Sequence, residues 1–199
     1  MTETYPMMLN RRMMLGATAG LLASPAILRA QTSPRDLAAT MAEDPTLARF
    51  GNLAQRAGFG DRLKGTQPLT VFVPTAAAFD LVPSSLMEDL LSGTGSQGGS
   101  TDQVRLAALV GIHIVEGTHT VQMMKDRVQD VRSLNGGLVR LDGRAVPPTI
   151  SLPVPEGGPR SNNQTGVGGY NVQPPAKLIR TNILASNGML HVIDGVLLP

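Results

Sequence analysis

The chain has 199 residues, 42% of them hydrophobic, which supports one domain with a sizeable core and argues against wholesale disorder. Aromatics make up only 3% and tryptophan is absent, so the core must be aliphatic; with no cysteine, disulfides and thiolate metal sites are excluded. The net charge of +2 arises in the first thirty residues, where Arg11, Arg12 and Arg29 face only Glu3; the rest is balanced and offers no basic face for nucleic acid.

Residues 1–30 have the order of an export signal. Asn10-Arg11-Arg12 is followed by an apolar stretch of about a dozen residues and a short region ending at Arg29-Ala30. That stretch is shorter than the roughly 20 residues of a membrane-spanning helix, so no stable transmembrane anchor is expected. The paired arginines resemble a twin-arginine signal, with cleavage after Ala30; a general secretory signal is the alternative. Residues 31–35 then form a short linker before the domain, 36–199.

In chain order, 34–58 reads as helical. Asp36 is placed to cap a first segment, and Asp44-Pro45 to restart a second. Leu47, Phe50, Leu53 and Ala57 mark its buried face, and Gly58 and Gly60 are expected to end it. Leu69–Val73 reads as a strand stopped by Pro74, with Thr75 capping the helical turn that follows. Val71 and Val73 should face one side of that strand and Phe72 the other.

Ser85 and Glu88 have capping-box spacing before Leu90-Leu91, and 93–100 is a Gly/Ser loop. Residues 102–110 predict a short helix burying Val104, Ala107, Ala108 and Val110. A strand is expected at 113–115 and one helical turn at 120–125, with a hairpin around Asn135-Gly136-Gly137. Residues 153–175, with five prolines and five glycines, read as a long loop. A strand follows at 177–184. Asn187-Gly188 then turns into Met189–Ile193 and Asp194-Gly195 into Val196–Leu198, both as turns needing positive φ. Helices early and strands late make the class α+β.

Three segments together resemble the fasciclin family: Thr70-Val71-Phe72-Val73-Pro74-Thr75-Ala76-Ala77-Ala78-Phe79, Ile112-His113-Ile114-Val115-Glu116-Gly117, and Ser186 to Pro199, including Asn187, Gly188, His191 and Asp194. The resemblance covers about residues 36–199. It implies a wedge-shaped β-sandwich of about seven strands with several helices packed on it, and adhesion or surface interaction without catalysis or a cofactor. The motif residues themselves read as structural. Two departures stand out: Ile112 and Glu116 replace the usual tyrosine and proline of the central motif. Some animal members use an Asp-Ile pair for cell binding; the matching pair here, Asn182-Ile183, lacks the carboxylate.

No catalytic or metal constellation emerges. The three histidines form no metal-type pair. His113 and His191 read as buried strand residues bonded to backbone, and His119 as a surface residue. No serine sits in a Gly-x-Ser-x-Gly elbow. Glu88, Asp89 and Asp102 read as solvated helix charges, and the glycines at 166–169 lack the lysine of a phosphate loop. The expected role is an exported interaction module, in the periplasm or outside the cell. Its partner would be an envelope protein, a polysaccharide or a cell-surface component. Arg160 and Tyr170 are the candidate contacts on the long loop, since Arg and Tyr anchor interfaces. A binder of an apolar small molecule such as a carotenoid or lipid is the alternative.

Overall fold

The computed structural model describes residues 35–84, 100–153 and 173–199. All of them lie within one compact unit, Thr32–Pro199. The export signal, the capping-box helix at 85–91, the Gly/Ser loop and most of the 153–175 loop, with Arg160 and Tyr170, lie outside the described residues.

The N-terminal half is mainly helical. Helix α1, Leu37–Glu43, begins where the Asp36 carboxylate accepts from the Ala39 N–H at 2.7 Å. Asp44 organises the next turn, accepting from the Thr46 N–H and hydroxyl, and helix α2, Ala48–Arg56, follows. Phe50, Leu53 and Ala54 form its buried face. Gly58, at φ +84°, ends α2, but Gly60 opens a further helix, α3, Gly60–Lys64. One glycine in the left-handed region suffices to turn the chain there.

Strand β1, Leu69–Pro74, is buried at every position. Pro74 is its last residue, and the Thr75 N–H already donates to the Ile193 carbonyl. The Thr75 hydroxyl accepts from the Ala78 N–H at 3.1 Å and caps helix α4, Ala76–Asp80, as the sequence predicts.

Helix α5, Ser100–Ile112, is longer than predicted, and of the predicted face only Val110 is fully buried. Leu106, Leu109 and Val110 are buried, whereas Val104 is 68% exposed and Ala107 and Ala108 only half-buried. Val104 stands two residues, about 200°, around the helix from Leu106, so one helix cannot bury both. Strand β2 is Ile114–Glu116, and helix α6, Val121–Met124, is capped by Thr120.

Strands β3, Val128–Arg132, and β4, Leu138–Asp142, form the predicted hairpin, with Gly136 at φ +86°. Strand β5 is Thr149–Ser151, β6 is Ala176–Ala185 and β7 is Gly188–Ile193. The seven strands form one sheet in the order β2-β1-β7-β6-β5-β4-β3. Only β1 and β7 run parallel; they set Phe72 beside His191. A bridge between Val115 and Ser133 brings the two edge strands together, so the sheet nearly closes on itself.

This curvature produces two apolar clusters. One packs the helices against Val71, Val73, Leu190 and Val192. The other lies within the curl of the sheet and joins Phe72, Val139, Leu141, Ile150, Leu178 and Ile193. Phe72 and its two valine neighbours therefore do face opposite sides of β1. The architecture is α+β, seven strands with several helices on them, as expected.

Candidate functional site

The family-motif residues cluster where β1, β7 and the end of α5 meet, and the fold itself engages their polar atoms. His113 is fully buried. It sits at the turn between α5 and β2, not within a strand as the sequence suggested. Its Nδ1–H donates to the Leu109 carbonyl at 2.7 Å, and its Nε2 accepts from the Leu197 N–H at 3.0 Å. The Phe50 ring lies 5.4 Å away, centroid to centroid. Burial drives the imidazole pKa down to about 4, against the Leu109 carbonyl, which favours the charged form.

His191 carries the opposite tautomer. Its Nε2–H donates to the His119 carbonyl at 2.7 Å, and its Nδ1 accepts from the Asn182 N–H at 3.3 Å. Its pKa too is lowered, chiefly by burial, and slightly by the charge of His119. Both nitrogens of each ring thus serve the fold. Neither imidazole can bind a metal or accept a substrate proton without first giving up one of these bonds.

The other motif residues behave alike. The Thr70 hydroxyl donates to the Gly117 carbonyl at 2.7 Å and accepts from the His119 N–H. Asp194 accepts from the Lys177 N–H at 2.6 Å, pinning the start of β6. Phe79 is buried beneath the Arg49 guanidinium, 4.9 Å from the ring centroid. The Asn187 side chain accepts from the Leu37 N–H and donates to the Leu63 and Gly65 carbonyls, tying α1 and the end of α3 to the β6–β7 turn.

Glycine acts here by size. Gly188 lacks the positive φ expected of its turn; a Cβ there would lie 2.0 Å from the Leu69 carbonyl oxygen. Gly195 likewise lacks positive φ and packs against Ala176.

Two features escaped the sequence reading. Asn182 adopts φ +57° at an irregularity in β6. Its side chain accepts from the Val121 N–H and donates to Gln122, so the residue at the Asp-Ile position is engaged internally. Second, a groove of about 410 Å³ runs between α4 and the C-terminal segment, lined by Ala78, Leu81, Val82, Ala176, Val196 and Leu198 among others. Leu81 at its edge is 80% exposed. Among the described residues no group of three acidic or histidine side chains is placed to hold a metal, and no helix is long and apolar enough to cross a membrane.

The nearly closed seven-stranded sheet with its helical cover and its inward-turned motif residues defines an α+β fold of the fasciclin type. The fasciclin domain model matches residues 45–199, and the chain belongs to that family. Members are commonly adhesion or interaction modules, generally non-catalytic and typically extracellular or secreted. Protein sll1483 of Synechocystis sp. is 27% identical over 139 residues, covering 70% of this chain and 59% of that protein, so the chain spans well under two thirds of that relative's length. The FAS1 domain pair of the insect cell adhesion molecule Fasciclin I shares the fold, with a TM-score of 0.53 at 18% identity over 79% of this chain and 47% of the other.

Proposed function

We propose that the chain is an exported, non-catalytic interaction module of a bacterial envelope. Its partner is an envelope protein, a polysaccharide or another cell-surface component. One observation carries this reading: the polar side chains of the family motifs, His113, His191, Thr70, Asn187 and Asp194, are all hydrogen-bonded within the fold. Recognition then falls to the outer surface, with Arg160 and Tyr170 as the candidate contacts on the long loop.

The full chain immobilised on beads tests this against envelope polysaccharide and protein fractions of the source cell. Saturable retention is expected, reduced by Arg160→Ala with Tyr170→Ala at an unchanged melting temperature. Absence of retention above that of uncoated beads overturns the proposal, as does turnover in a panel of ester, glycoside and phosphate substrates. Protein recovered from the envelope should begin at Gln31; a chain beginning at Met1 removes the export part. Lysine at both Arg11 and Arg12 should block export by the twin-arginine route.

A further inference from the structure

Beyond β7 the chain runs as a strap, Asp194–Pro199, that belongs to no strand. Its Val196 joins the helix-side cluster and its Leu197 the cluster inside the sheet. Asp194 anchors its start through the Lys177 backbone. Farther along, among the described residues, side chains alone hold its backbone: Nε2 of His113 accepts from the Leu197 N–H, and Oε1 of Gln173 from the Leu198 N–H. The buried Leu197 of the strap therefore hangs on an acceptor that His113 supplies only while its imidazole is neutral.

We propose that His113 is an acid-sensitive latch for this strap: protonating the one imidazole frees Val196–Leu198 while the β-sheet remains folded. A proton on Nε2 sets two donors, Nε2–H and the Leu197 N–H, against each other at 3.0 Å. The cation would sit among Phe50 of α2, Leu109 of α5 and Leu197 of the strap, and burial is what lowers its pKa, with no charged side chain contributing. Relief comes most easily by moving the element with the fewest other bonds. Strand β7 is fixed on both sides, by β1 and β6, and helix α5 packs on α2. The strap has neither support, and local opening of such a segment takes less free energy than unfolding the domain. Val196 and Leu198 line the groove beside α4, so release removes one of its walls.

Three other ionisable side chains lie near the strap or its neighbours and must be separated from the latch. Asp194 and Lys177 lie at the strap's beginning, where the Asp194 carboxylate holds the Lys177 N–H. His191, the second buried imidazole, holds Asn182 and the His119 carbonyl, so its protonation is read there and not at Leu197.

The test is a pH titration of the isotopically labelled full chain by NMR, following the His113 ring and the amides of Leu197, Val71 and Leu190. The Leu197 amide signal should be lost together with the neutral His113 ring signal, at a higher pH than that at which Val71 and Leu190 are lost. His113→Gln, which keeps an acceptor without a titrating ring, should abolish the early loss, and Asp194→Asn should leave it in place. Simultaneous loss of all three amides in the wild-type chain overturns the latch, and this arm stands even if the variant does not fold. Persistence of the early loss in His113→Gln, or its disappearance in Asp194→Asn, overturns it equally.

Discussion

Phe72 and His191 stand opposite each other on the parallel β1–β7 pair, their rings stacked with centroids 5.4 Å apart and planes 19° from parallel. The stack covers the apolar face of the imidazole, while its edge bonds the Asn182 N–H and the His119 carbonyl. Replacing His191 by alanine removes that acceptor and donor at once and leaves their part-buried partners unpaired. His191→Ala should cost about 1–3 kcal/mol in denaturant unfolding. Envelope binding should persist wherever the variant is folded; its loss with an unchanged melting curve would make His191 a contact residue.

Acid should weaken the domain through its two buried imidazoles, His113 and His191. Each folded-state pKa lies below the ordinary histidine value of 6.5, at about 4 for His113, so between these values the unfolded chain binds more protons. Stability from the neutral rings is therefore complete above pH 6.5 and is lost as pH falls from there toward 4. For His113 the loss is on the order of 3 kcal/mol. Urea midpoints measured from pH 7.5 down to 4.5 check the sign: a midpoint rising with acidity would contradict it.

The two glycine roles predict different penalties. At Gly188 an added Cβ meets the Leu69 carbonyl oxygen at 2.0 Å, so Gly188→Ala must push β7 away from β1 and should cost at least about 3 kcal/mol. At Gly136, φ is +86° and nothing lies within 4 Å, so Gly136→Ala meets only backbone strain, about 1–2 kcal/mol. Parallel melts of the two variants rank them, and the reverse order would refute the close-approach account.

Asn187 joins three elements through one amide. Asn187→Ala frees the Leu37 N–H and the Leu63 and Gly65 carbonyls together, and a loss of about 2–4 kcal/mol is expected. Asn187→Asp should be little better, because a carboxylate accepts from Leu37 but cannot donate to the two carbonyls. Hydrogen exchange should show α1 opening first in either variant.

What the sequence disclosed was local. Asp36 and Thr75 could be read as caps because their partners lie three residues away, and Asn135-Gly136 as a hairpin because a turn carries its own chemistry. The family signatures extended this to the order of the elements. Long-range partners stayed hidden: nothing near His113 announces Leu197, 84 positions later, nor does Asn187 announce Leu37, 150 positions earlier. The misplacement of Val104 on the buried face of α5 has a similar origin, since Leu106 and Val104 are equally apolar and only packing against α2 decides between them. The meeting of β2 with β3, which curls the sheet, rests on one bridge that no periodicity encodes.

The parallel pairing of β1 with β7 also governs when the domain can fold. Strand β1 is buried along its whole length, and on one side it has only the short β2 for support. Its full-length partner, Gly188–Ile193, lies more than a hundred residues further along the chain. A chain still emerging from the ribosome therefore carries α1 to α5 without the surface they cover, and the decisive contact closes a span of more than a hundred residues. Such non-local closure is slow and leaves apolar surface exposed while it waits. Completion of the β1 face therefore waits until β7 has been made.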